Sequence, residues 1–450
     1  MQAKQIDFSN GKVIENIFLS AFPMMIAQTL SLMYNIVDRI YLGRIPNEGT
    51  LALAGVGVCF PIISLINAFT NLFGSGGAPL CSIERGKNNL KEAKNIMNTS
   101  FYMLIITSFI LTFLGLFFSK PLLFLFGASN TLMNYALPYM RIYLLGTIFT
   151  MISLGMNPYI NSQGFANIGM LTIFLGAITN IILDPIFIFI LDFGVNGAAI
   201  STVISQFISA IFVLKFLTGD RAELKLQIKN PIKLEKKRMF DIISLGTVSF
   251  VMQGTNSLVQ IFSNNMLGLF GGDLYISIMT IINSIRQILD TPLSALTDGV
   301  SPFLSFNYGA KKYKDLKRTI IIVTILGLFY TGIIWGSVLL FPEFFIKIFN
   351  DDKNLIEKSI SSLHIYFFAF IFQALMYSGQ TVFKSLNKKK YAIFFSLFRK
   401  VIIVVPLTFL LPRVSNLGVQ GVFMAEPVSN FLGGLLCFSI MTITILKKLK

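Results

Sequence analysis

Residues 79–95, PLCSIERGKNNLKEAKN, return 223 positions later as residues 302–318, PFLSFNYGAKKYKDLKR. Pro79/Pro302, Ser82/Ser305, Gly86/Gly309, Lys91/Lys314 and Lys94/Lys317 are identical, and Glu92/Asp315 keeps its charge. A second pair of blocks, GVNGAAIST at 194–202 and GVQGVFMAE at 418–426, holds an offset of 224. Gln28/Gln253 and Gly43/Gly268 hold an offset of 225. Offsets that agree this closely over half a chain mark a duplication: two copies of one unit, joined end to end.

The material between the repeated blocks is apolar. Of 450 residues 54% are hydrophobic and 13% charged, with a mean hydropathy of +0.71. Soluble domains carry about a quarter charged residues, so a water-borne body of this composition would have too little polar surface. Stretches of about 20 apolar residues, the length that crosses a bilayer core, fall near 14–43, 51–83, 96–119, 131–160, 167–191 and 195–218 in the first copy. In the second they fall near 239–268, 274–308, 319–341, 355–386, 391–411 and 417–446. The expected fold is an all-α membrane protein with twelve transmembrane helices in two parallel six-helix bundles. Six crossings per copy give both copies the same orientation, related by a pseudo-twofold along the membrane normal. The expected domains are an N-lobe over 1–218, a basic cytoplasmic linker over 219–238 and a C-lobe over 239–450.

The formal net charge is +16, from 37 Lys plus Arg against 21 Asp plus Glu. In a soluble protein that excess would point to nucleic acid; here the bases gather in short loops, so the partner is the bilayer. RGKNNLKEAK carries four, 215–238 carries eight and GAKKYKDLKR carries five, all on one side of the membrane. By the positive-inside rule both termini are cytoplasmic, in a multi-pass protein of a prokaryotic cell membrane. The first apolar stretch is too long for a signal-peptide core and is expected to be retained. Cys59, Cys81 and Cys437 lack metal-site spacing, one histidine is present, and phosphate-loop, zinc-protease and nucleophile-elbow motifs are absent. No enzyme activity, metal or cofactor is expected, and the driving force is an H⁺ or Na⁺ gradient.

Ionisable groups inside spans are costly and are functional candidates by default. Asp38, Asp184, Asn180, Thr202 and Tyr139 fall at one depth in the first copy, on the order of 8–14 Å below the outer surface at about 1.5 Å rise per residue. Asn180 lies one helical turn before Asp184, on the same face. The competing readings are an interfacial, solvated Asp38 and an Asp184 that only marks a helix end before Pro185. In the second copy Arg286 and Asp290 are spaced to neutralise each other, and Glu426 takes the repeat position of Thr202. Glycine-rich GSGGAP at 74–79 follows no strand and reads as a close-packing site or a local break. Asp38, Asp184, Asp290, Asp298 and Glu426 against Arg39, Arg141 and Arg286 tilt the spans toward cationic cargo. The 45 Phe and 18 Met suit varied hydrophobic ligands.

FPMMIAQTLSLMYNIVDRIYLGRI at 22–45, NPYINSQG at 157–164, NIILDP at 180–185, GVNGAAIST and RQILDTPLSALTDGVSPFLSFNYGAK at 286–311 resemble motifs of the multidrug and toxic compound extrusion (MATE) family, close to its DinF-like branch. The resemblance implies two bundles facing a central cleft and export of lipophilic, often cationic compounds by a monomer, in exchange for H⁺ or Na⁺. It also implies cation coupling at Asp38, Asp184, Asn180 and Thr202 supported by Tyr139, a helix bend at Pro23, and substrate contacts from Asn157. Asn35, Gln253 and Asn256 complete the candidate substrate-binding amides. Helix 7 departs from the NorM-like branch by offering Gln253, Asn256 and Gln260 where that branch has a Glu. Glu426, Arg286 and Asp290 remain candidates in the C-lobe. The alternatives are a lipid-linked saccharide flippase, which needs several buried bases, and a membrane scaffold that transports nothing.

Overall fold

The computed structural model describes residues 5–46, 48–227, 234–349, 353–414 and 417–449, so the linker expected over 219–238 lies outside the described residues at 228–233. The described chain is helical almost throughout. In order the α-helices are α1 Val13–Gly43, α2 Gly49–Gly86, α3 Leu90–Leu125, α4 Asn130–Leu145, α5 Thr147–Ser162, α6 Ala166–Pro185, α7 Gly194–Thr218 and α8 Lys236–Gly309. They continue as α9 Tyr313–Leu340, α10 Pro342–Lys347, α11 Lys353–Phe367, α12 Gln373–Ser385, α13 Lys389–Leu397, α14 Val405–Leu410 and α15 Val419–Met441. Local caps set some of these starts: Asn89 accepts from Glu92 N at 3.3 Å ahead of α3, and Ser129 from Leu132 N at 3.2 Å ahead of α4, satisfying donors that have no partner in the first turn.

Among the described residues nine helices are long and apolar enough to cross a bilayer, and eleven when each of two bent pairs counts as one crossing. The pairs are α4 with α5, bent by 57°, and α11 with the Phe370–Ser385 segment, bent by 41°. The continuation of α8 past Gly272 is a further, less apolar helix carrying Arg286, Asp290 and Asp298. Gly272 divides the two crossings with a φ of +69°, a backbone that L side chains rarely adopt. The twelve-helix reading therefore stands, with two crossings bent where hydropathy alone gave no sign of it.

Two compact units divide the chain: Met1–Phe8 with Phe22–Ser249, and Ser9–Ala21 with Phe250–Lys450. The first helix passes from one unit to the other between Ala21 and Phe22. The second boundary falls inside α8, past the expected linker. Left-handed residues recur at the repeat offsets: Asn88 and Lys311 (φ +62° and +59°), Gly164 and Asn387 (+84° and +56°), Gly194 and Gly418 (+51° and +50°). The duplication is thus written in the backbone as well as in the side chains.

GSGGAP runs through α2 without a break. A Cβ on Gly74 would lie 2.6 Å from Gly155 O, and on Gly76 2.4 Å from Ile242 O. The stretch lets α5 and the start of α8 approach α2 to backbone contact, the packing mode of membrane helices. Around it the larger unit packs Ile66, Phe73, Met97, Leu104, Met156 and Tyr159 into one core.

Both described ends of the linker are fastened to the N-terminal unit. Arg85 pairs with Glu223, Arg238 Nε donates to Glu92 Oε1 at 2.8 Å, and Gln227 N donates to Asn98 Oδ1 at 2.7 Å. Two of the bases that set the topology are therefore held in ion pairs.

Candidate functional site

In the N-terminal unit α6 and α7 bring three of the candidates together. Gly197 is the reason: a Cβ there would sit 2.6 Å from the Phe187 carbonyl, so only glycine lets α7 lie against the backbone that follows Asp184. That backbone winds into a π-helix over Ile186–Ile190, immediately after Pro185. Asn180 Nδ2 donates to Asp184 Oδ1 at 3.1 Å and to Thr202 Oγ1 at 3.4 Å. Ser201 donates a hydrogen bond to the same Asp184 oxygen.

Asp184 is fully buried and Asn180 2% exposed, yet Asp184 Oδ2, Asn180 Oδ1 and Asp38 Oδ1 are buried oxygens without a hydrogen-bond partner. Unmet buried acceptors cost free energy, and three acceptors sharing one cluster are the complement of a proton or a small cation. Asp38 and Asp184 are close enough for their charges to interact. Arg39 places its guanidinium 4.7 Å from the Phe60 ring centroid. Tyr139, buried and stacked on Tyr143 with ring centroids 6.3 Å apart, lies in the field of both acids. A cavity of about 30 Å³ adjoins the cluster, lined by Tyr34, Asn180, Thr202, Ser205, Gln206 and Ser209 among others, room for about two water molecules.

The remaining candidate amides and the helix-bend proline sit elsewhere. Asn157 is buried and donates to Gly169 O at 2.9 Å while accepting from Asn161 at 3.2 Å, so its amide ties α5 to α6. Asn35 is exposed and caps Ser31 O one turn back at 2.6 Å. Gln253 is half-buried and Asn256 exposed. Pro23 lies inside α1, which runs on through it, two residues past the point where the helix changes unit. Pro23 supplies no N–H, so the helix lacks one internal hydrogen bond there.

In the C-terminal unit Arg286 and Asp290 form the expected pair, Nε to Oδ2 at 3.4 Å, but they do not simply neutralise each other. Arg286 also reaches Glu426 Oε1 at 3.1 Å and Tyr366 Oη at 2.7 Å. Glu426 further accepts from Lys400 at 2.5 Å and Arg399 at 3.4 Å. Gln373 Nε2 donates to both Asp290 oxygens, at 3.2 and 2.9 Å. Glu426 is thus met by three bases.

The acid excess expected for the spans does not hold: Arg399 and Lys400, inside the 391–411 stretch, offset it as buried bases. Consecutive bases within an apolar run were the available signal. Ser201 was also missed, because nothing in the sequence distinguishes it from the other small polar residues of α7.

Comparison with known proteins agrees with this architecture. The MatE family model matches residues 23–186 and 249–410, one match in each copy of the repeat. The multidrug export protein MepA of Staphylococcus haemolyticus is 24% identical over 96% of this chain and 95% of its own length. MepA of Staphylococcus aureus is 25% identical over 80% of the chain and 78% of its own. An outward-facing multidrug resistance MATE family transporter superposes with a TM-score of 0.92 at 22% identity, covering 99% of both chains. A transporter of the MOP superfamily from Pyrococcus furiosus, described as having a binding pocket of reverse polarity, gives 0.92 at 22% identity over 99% of this chain and 100% of that one. With both halves of the repeat matched, the chain belongs to the MatE family.

Proposed function

We propose that the chain is a secondary antiporter that exports small lipophilic, often cationic compounds by alternating access in exchange for H⁺ or Na⁺. The observation that carries this is the trio of unpartnered buried oxygens on Asp38, Asp184 and Asn180, gathered beside Thr202 and Tyr139. Occupied by a proton or a sodium ion, the cluster satisfies its acceptors and cancels the repulsion between two carboxylates. Emptied, it restores both charges. That difference favours one conformation with the ion bound and another without it, which is what couples an ion to a second cargo.

The Ser201 and Asn180 donors hold Asp184 in place throughout, leaving the Asp38 side of the cluster to change. One elementary charge crossing 100 mV supplies about 2.3 kcal/mol, enough to drive a modest uphill gradient. The multidrug export relatives support the choice of cargo, and the clustering of bases in alternate loops supports cytoplasmic termini.

The test is efflux of a lipophilic cationic dye from proteoliposomes with the proton and sodium gradients collapsed separately. Loss of uphill efflux on collapsing one of them is expected. Undiminished uphill efflux with both collapsed would rule the antiporter out.

A further inference from the structure

The base-rich cluster of the C-terminal unit plays no part in the coupling just described. Three bases, Arg286, Arg399 and Lys400, converge on two acids, Glu426 and Asp290. Arg399 and Lys400 are each 7% exposed and Glu426 4%. A formal excess of positive charge out of water is costly unless an anion compensates it. Within the cluster the weakest-paired base is Arg399: its bond to Glu426 is long, at 3.4 Å, and its Nε is buried with no partner. Glu426 meets it through one oxygen alone, since Lys400 and Arg286 take up the other.

The backbone is arranged to aim this side chain. Residues Phe398–Val404 form a π-helix, a rare winding often found at functional sites, and the Arg399 carbonyl is taken up by Ser429 Oγ at 2.9 Å. Gly433 makes room for the stem, since a Cβ there would lie 3.2 Å from Arg399 Cγ. Arg286 closes the other side and remains partly accessible, at 15% of its side chain.

We propose that this cluster receives an anionic oxygen group, a carboxylate or a phosphate, carried by an amphiphile, with Arg399 as its principal donor and Lys400 and Arg286 flanking it. A guanidinium with an idle Nε–H is suited to such a group, because its donors match the two oxygens of a carboxylate or phosphate. Glu426 is the internal competitor that occupies the bases when no ligand is present. The cargo range then extends from cations to amphiphiles that bear an acid.

The test measures binding by the purified full chain with no ion gradient, so its failure would leave the antiport reading untouched. A dansylated long-chain fatty acid and its methyl ester serve as probes. The wild type should bind the acid about tenfold more tightly than the ester, the size of one charge-assisted hydrogen bond. Arg399→Gln should erase that preference, and Glu426→Gln should widen it by freeing the bases. Equal affinity of the wild type for acid and ester would overturn the proposal, and that comparison needs no variant to fold. A preference that survives Arg399→Gln, or that Glu426→Gln fails to widen, would overturn it as well. Repeating the titration in phosphatidylcholine nanodiscs with and without phosphatidylglycerol separates the two sources. Competition assigns the site to a lipid phosphate, and its absence assigns it to a soluble amphiphile.

Discussion

The two units grew from one repeat, yet they place different polar groups at matched positions. Asp38 is answered by Ser263, Asp184 by Thr408 and Thr202 by Glu426 at the repeat offsets. The N-terminal unit gathers acceptors and leaves three of them without donors. Its counterpart gathers three bases around one carboxylate. A duplicated scaffold keeps helix packing and turn geometry, as the paired left-handed residues show, while the buried polar groups are free to diverge. On the two proposals above, one unit would hold a cation and the other an anion.

Glu426→Ala should break this comparison most severely. It leaves three buried bases facing Asp290 alone, and removing one partner of a buried ion pair costs about 3–5 kcal/mol. Thermal unfolding of the full chain in detergent should show a large drop. Asp38→Asn should change stability little, because it removes a charge whose buried oxygen has no partner. Equal losses for the two variants would mean that the clusters do not differ in kind.

Gly197→Ala should act next most strongly, in the N-terminal unit. The added Cβ meets the Phe187 backbone at 2.6 Å and must push α7 off α6, an overpacking cost of about 1–3 kcal/mol. Ser201 and Thr202 would shift away from Asp184 and Asn180, so ion-driven efflux should fall together with stability. Wild-type efflux in this variant would show that the α6–α7 contact does not hold the site.

Ser201→Ala is the mildest of these changes. It removes one donor from Asp184, worth about 1 kcal/mol, and should alter the concentration of coupling ion needed for half-maximal efflux by a few-fold. Maximal binding of the dye should be unaffected. An unchanged ion dependence would remove Ser201 from the site.

Much of this was legible in the sequence because hydropathy and repeat offsets are properties of the chain read in order. The spans near 167–191 and 195–218 correspond to α6 with its π-turn and to α7, and Asn180, Asp184 and Thr202 meet as their common depth suggested. Contacts between distant helices were less accessible. The Arg286–Glu426 and Arg399–Glu426 pairs depend on how α8, the π-helix and α15 are rotated about their axes, and apolar spans carry too weak an amphipathic signal to fix that rotation. Asn157 shows the same gap: its type suits a ligand contact, but the close passage of α6 at Gly169 takes up its amide.

The most direct measurement is uphill dye efflux from proteoliposomes containing Asp38→Asn with Asp184→Asn, set beside equilibrium binding of the same dye. Loss of ion-driven uphill efflux with dye binding retained is the expected result, since the neutral amides cannot gain and release the coupling charge. Uphill efflux at the wild-type rate in the double variant would contradict a coupling site in the N-terminal unit.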